Sequence, residues 1–192
     1  MGSGTHVMWI TSRAAGMTAV ILASLSVCLG LLMSAKVKRR GPDLRVVHEC
    51  LSLATLAAIA LHGLTTLADP WLKPGVSGVL LPFQISYRPL PVALGILAAY
   101  GLASLGLGYY ARNRIGPARW RKAHRWTAAF WALAIVHGFT AGTDAGKPWF
   151  IASIALVTAP ALVLLLARIS ERAAAQRESG PRGRAVPSAR GL

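Results

Sequence analysis

Five stretches of this 192-residue chain, residues 14–35, 46–68, 89–110, 126–143 and 148–167, are apolar nearly throughout. Each is close to the roughly 20 residues a helix needs to cross a hydrocarbon core about 30 Å thick. Lipid offers no partner to a backbone N–H or C=O, so a stretch of this length satisfies its own backbone only as a helix. Composition agrees, since 54% of residues are hydrophobic and 14% charged, against about 25% charged in a soluble domain. The expected fold is all-α, an integral membrane bundle of five transmembrane helices. Pro160 interrupts the fifth stretch, which is tolerable where neighbours satisfy the freed carbonyl. Residues 76–83 are apolar but too short to cross, and Gly78 and Pro82 break them. They are expected at the interface or in a shallow re-entrant turn.

The basic residues orient the bundle. The connection after the first stretch holds Lys36, Lys38, Arg39, Arg40 and Arg45, and the connection after the third holds Arg112, Arg114, Arg119, Arg121, Lys122 and Arg125. With the C-terminal residues, 17 of the 21 Lys and Arg fall on one face, and Arg13, Lys73, Arg88 and Lys147 on the other. Basic loops stay in the cytoplasm, so the N-terminus is expected outside and the C-terminus inside. The net charge of +15 then follows from topology, and nucleic acid is not an expected partner. The chain is expected in a cell membrane as a multi-pass protein, of the bacterial plasma-membrane kind. Residues 1–13 form an extracytoplasmic segment and 14–170 the membrane domain. Residues 171–192 form a basic cytoplasmic tail with no apolar face to bury, expected to be disordered. The first stretch lacks a basic leader and runs directly into Lys36, so it reads as a retained span and not a signal peptide. Cys28 and Cys50 belong to no CxxC pattern and read as small buried hydrophobes.

Apart from His6, the histidines occupy two spans, with His48 and His62 in the second and His124 and His137 in the fourth. His48 and His124 each follow a basic loop, so both lie near the cytoplasmic face. Their partners come 14 and 13 residues later, about 20 Å along a helix at 1.5 Å per residue. Imidazoles facing each other at two matched depths suit bis-histidine ligation of haem b. A lone intramembrane histidine is as often a polar group bonded to a neighbouring helix, but four at paired depths form a pattern. Fourteen residues return His62 to within about 40° of His48, whereas thirteen leave His137 about 140° from His124 on an ideal helix. A bulge, an overwound turn or a strong tilt is needed to close that gap.

The segments HECLSLATLAAIALHG (residues 48–63) and WRKAHRWTAAFWALAIVHGF (120–139) resemble the ferric reductase-like transmembrane domain. That superfamily includes ferric reductases, the membrane core of NADPH oxidases and the haem subunit of the periplasmic methionine sulfoxide reductase system. The spacing of thirteen intervening residues on one helix and twelve on the other is the family's, and the likeness covers about residues 11–169. It implies two b-type haems, an inner one on His48 and His124 and an outer one on His62 and His137. It also implies an electron relay from a cytoplasmic flavoprotein or a membrane quinol to an extracytoplasmic acceptor, with the chain acting as the haem subunit of an oxidoreductase. Many members have six spans or continue into a flavin- and nicotinamide-binding domain. No segment here reads as one, so a separate donor is expected. Gly101, Gly106 and Gly108 sit within the third span and suit close helix packing better than dinucleotide binding.

Haem propionates favour basic partners. Arg13 and Arg88 are candidates at the outer haem, and Arg45, Arg121 and Arg125 at the inner one; as headgroup anchors they would serve equally. Phe130 and Trp131 fall between the two levels, where they fill space between macrocycles or simply pack. Glu49 is placed to orient an imidazole or carry protons. The rival reading is a metal or proton transporter using His48, Glu49, Cys50 and His124. Successive residues on a helix point about 100° apart, so those three neighbours cannot converge on one ion.

Overall fold

The computed structural model describes residues 3–35 and 43–178, and every regular element in it is helical. The order is α1 (Ser3–Ser34), α2 (Leu44–Leu67), α3 (Gly75–Leu80), α4 (Pro89–Leu107), α5 (Arg112–Ile115), α6 (Pro117–His124), α7 (Thr127–Ala141) and α8 (Pro148–Glu178). Four of these, α1, α2, α4 and α8, are long and apolar enough to cross a membrane. The chain is therefore a multi-pass membrane protein. Leu64, Leu156 and Val163, inside α2 and α8, are 65%, 76% and 65% exposed. Surfaces of that kind belong against lipid and not water.

Three borders differ from expectation. The fourth apolar stretch, expected as one span over residues 126–143, is the 15-residue α7, about 22 Å long at 1.5 Å per residue. It is preceded after a short turn by the basic α6. Helix α1 begins well before residue 14, and its stretch long and apolar enough to cross runs from His6 to Ser34. Arg13, whose charge marked the expected border, is paired with Asp144 of the α7–α8 loop and stacks over Trp9 at 4.1 Å. At the other end α8 continues to Glu178. Residues 171–178, expected to be disordered, are thus helical, because Glu, Arg, Ala and Gln are strong helix formers and extending an existing helix needs no new nucleus. The remainder of the expected tail, 179–192, and the basic residues Lys36, Lys38, Arg39 and Arg40 lie outside the described residues.

Helix α1 is the hub. It packs along α2 and also touches α7 and α8, while α4 packs on α7 and lightly on α2. Ala15, Ala19 and Ala23 recur every four residues on α1 and are all buried, a small-residue stripe that lets neighbouring backbones approach. At its end Ala23 meets Trp131 of α7 and Ala161 of α8, with Val27, Cys28, Ile135 and Leu165 around them. Trp131 is 2% exposed and donates its indole N–H to Ser24 Oγ at 3.0 Å. Cys28 joins this core as expected, but Cys50 is exposed, on the outward side of α2.

The Arg13–Asp144 pair ties the start of α1 to the α7–α8 loop. Asp144→Asn is expected to cost about 1 kcal/mol, since the pair is partly exposed and screened. The detergent-solubilised protein should then unfold about 2–4 °C lower. An unchanged midpoint would mean that the pair contributes nothing.

Candidate functional site: two pairs of facing histidines

The rings of His48 and His124 lie 6.3 Å apart between centroids, and those of His62 and His137 also 6.3 Å. The expected pairing across helices is what the fold assembles. The two pairs are edge-on, with ring planes at 89° and 70°. The facing rings are carried by α2 on one side and by α6 (His124) and α7 (His137) on the other, and α2 packs on neither extensively.

Each ring is held from behind by a backbone carbonyl. Nδ1–H donates to Ser26 O from His48 at 3.0 Å, to Ser12 O from His62 at 2.8 Å and to Pro91 O from His137 at 2.8 Å. His124 makes the same contact to Leu105 O at a longer 3.4 Å. A carbonyl can only accept, so Nδ1 carries the proton and the lone pair stays on Nε2, the usual arrangement of a metal-bound imidazole. Three of the rings also lie against a glycine one turn beyond that carbonyl. A Cβ on Gly16 would come within 3.1 Å of the His62 ring, one on Gly30 within 3.3 Å of His48, and one on Gly95 within 2.6 Å of His137. His124 has Trp120 instead, stacked at 4.8 Å and 24°.

The register explains the spacing. Moving 14 residues along α1, from Ser12 to Ser26, moves 14 back along α2, from His62 to His48. On the other side Pro91 and Leu105 are again 14 apart, but His137 and His124 only 13. The missing residue is taken up between α6 and α7, where Trp126 N–H bonds Ala123 O at 2.9 Å, an i→i+3 turn. Such a turn rises about 2.0 Å and rotates about 120° per residue, against 1.5 Å and 100° in an α-helix. Three overwound steps give thirteen residues the rise of fourteen, about 21 Å, and swing His137 back toward the face of His124.

The 6.3 Å spacing discriminates between occupants. An iron bound by two trans Nε2 atoms at about 2.0 Å each, with nitrogen about 1.15 Å from the ring centroid, puts the centroids about 6.3 Å apart. Tetrahedral zinc, or a direct N–H···N bond between the rings, would bring them to about 5.2 Å. Among the described residues no three of His, Cys, Asp and Glu gather into a group. Two imidazoles at that spacing, with no third protein ligand beside them among the described residues, suit a macrocycle that would bring the remaining donors itself. Buried donors without acceptors occur near both levels: Arg13 Nε beside Ser12, and Trp120 Nε1 and Thr127 Oγ1 around His124. Propionate carboxylates would satisfy such groups. The residues present therefore fit haem b.

The other candidates divide. Arg13 has one guanidinium nitrogen on Asp144, and Arg88 donates to Thr140 O at 2.7 Å, next to the outer pair in sequence. Arg45, Arg121 and Arg125 are exposed. Glu49 orients no imidazole; it accepts the Tyr110 hydroxyl at 2.6 Å. The carbonyls do the orienting instead. Phe130 is pressed against Gly101, where a Cβ would run into its ring, so this glycine serves close packing as expected. The serines and glycines behind the rings were not singled out by the sequence reading. Their signal is a repeat: Ser-x3-Gly occurs at 12–16 and again at 26–30, and His-x3-Ser/Thr at 48–52 and 62–66, each 14 apart. No protein-family profile, curated protein or solved structure matches the chain.

Proposed function

We propose that this chain carries electrons across a membrane through two b-type haems, one between His48 and His124 and one between His62 and His137. The observation that carries the reading is the pair of 6.3 Å centroid spacings, with every Nδ1 turned back to a carbonyl. A haem at each level supplies a one-electron Fe(III)/Fe(II) couple. The chain holds the two imidazoles of each pair close to one another, fixes their tautomer and keeps the space between levels apolar with Trp131 and Phe130. Arg13, Trp120 and Thr127 offer donors to the propionates, and Arg88 stands at the outer rim. Electrons come from a cytoplasmic flavoprotein or a quinol and leave to an acceptor outside, so the chain works as the haem subunit of an oxidoreductase in a bacterial-type plasma membrane. Absorption of the purified protein tests this. Reduced b-type bands with about two haems per chain are expected, and a colourless protein overturns the reading.

The proposed topology has five spans, with the N-terminus outside. In support, α6 and α7 form an almost continuous segment of 8 and 15 residues joined by the overwound turn. If that segment did not cross, Lys147 would share a face with the basic α5–α6 region, against the 17 to 4 charge split. A reporter fused at Gly116 is expected to read as cytoplasmic. One reading from outside would exchange the inner and outer assignments.

A further inference from the structure

Serine and threonine in membrane helices commonly bond their hydroxyl back to the carbonyl four residues earlier. Ser24 on α1 does so, to Val20 O at 2.7 Å, and Thr55 and Thr65 on α2 do so too. Ser12 and Ser26 depart from this. Both are buried, at 9% and 6% exposure, and both point across to α2. Ser12 Oγ lies 3.1 Å from His62 Nδ1 and 2.7 Å from Thr66 Oγ1. Ser26 Oγ lies 3.1 Å from His48 Nδ1 and 2.9 Å from Ser52 Oγ. One arrangement of protons satisfies each set. Thr66 donates to His62 O at 2.7 Å and Ser52 to His48 O at 2.8 Å, so each serine must be the donor to its α2 hydroxyl. The serine's own lone pair then faces the imidazole N–H. Each α2 histidine thus gives one proton to two acceptors, the carbonyl and the hydroxyl of the same serine. The same closed chain of bonds occurs at both levels, 14 residues apart. The α6–α7 histidines have no hydroxyl in this role; His137 has Pro91 O alone and His124 only the long contact to Leu105 O.

We propose that Ser12 and Ser26 are positioning residues that fix and polarise His62 and His48, making the two axial ligands of each haem unequal and setting the potential of each haem separately. The inference rests on the haem reading above. A second acceptor at Nδ1 draws the proton away from the ring, makes Nε2 a better electron donor and favours Fe(III). Removing the hydroxyl weakens that donation and favours Fe(II). Thr66 and Ser52 act one step further out, by holding the serine hydroxyl in its orientation.

Redox titration of the haem-loaded full chain, read with low-temperature EPR of the ferric state, tests the idea. Ser12→Ala is expected to raise the potential of the outer haem alone, and Ser26→Ala that of the inner haem alone. The expected change is about tenfold in the Fe(II)/Fe(III) ratio, the low end for outer partners of metal ligands, or about 59 mV for one electron. The EPR signal of that haem alone should move. Thr66→Val and Ser52→Ala should shift the same haems in the same direction by less, and they serve where a serine variant fails to load haem. Haem-loaded variants with unmoved potentials, or with both haems moved alike by one substitution, overturn the inference and leave the haem reading standing. A wild-type chain that binds no haem overturns both.

Discussion

His62→Ala and His137→Ala will each lower the haem content by about half and leave the inner haem in place, because a single imidazole seldom holds haem b once its trans partner is gone. His48→Ala and His124→Ala will remove the inner haem instead. The outer haem, even where retained, then loses its supply of electrons from the cytoplasmic side. The expectation comes from the pairing across α2 and α6–α7 at 6.3 Å on both levels, with about 21 Å between levels. Four substitutions on two helices should therefore give two phenotypes, sorted by depth. Haem content per chain together with donor-driven reduction reads both. If the variants sorted by helix instead, His48 with His62 and His124 with His137, the two-level arrangement would be wrong.

Gly95→Ala should come close to the loss expected for His137→Ala, although it adds only a methyl group. The new carbon would stand 2.6, 2.7 and 2.8 Å from three atoms of the His137 ring. The ring cannot swing aside without breaking its 2.8 Å bond to Pro91 O on the same helix. Overpacking of this kind costs about 1–3 kcal/mol, and the displaced atoms belong to the ligand itself, so the outer haem should be lost while the inner one stays. Gly30→Ala meets the His48 ring at 3.3 Å, which a shift of a few tenths of an ångström relieves, and should keep nearly full haem. Gly16→Ala, at 3.1 Å from His62, should fall between. Equal haem content across the three variants would show that these close approaches do not hold the rings.

Much of this was legible along the chain because membrane helices announce themselves by length and polarity. The spans near α1, α2, α4 and α8, and the matched depths of His48 with His124 and His62 with His137, follow from counting residues. The partners of Arg13, Arg88 and Glu49 could not be counted in this way. Arg13 meets an aspartate 131 positions away, and Glu49 a tyrosine 61 positions away. Such contacts depend on how helices are rotated against each other, which the hydropathy of each helix leaves open.

The 13-residue step shows the same division. Its awkwardness was readable from helical periodicity, and so was the need for a bulge, an overwound turn or a strong tilt. Neither Gly nor Pro marks its place at residues 123–126, so only the structure locates it, at the Trp126 to Ala123 bond. The sequence by itself determined an all-helical membrane chain and four histidines at two depths, because lipid forces each apolar stretch to satisfy its own backbone and an α-helix rises about 1.5 Å per residue. The tertiary structure alone decided that Ser12, Ser26, Pro91 and Leu105 turn each imidazole, and that Gly16, Gly30 and Gly95 make room for three of them. Those are contacts between helices, set by side-chain shape and interhelical register; the 14-residue repeats mark positions on α1 and α2 but not which residues face them.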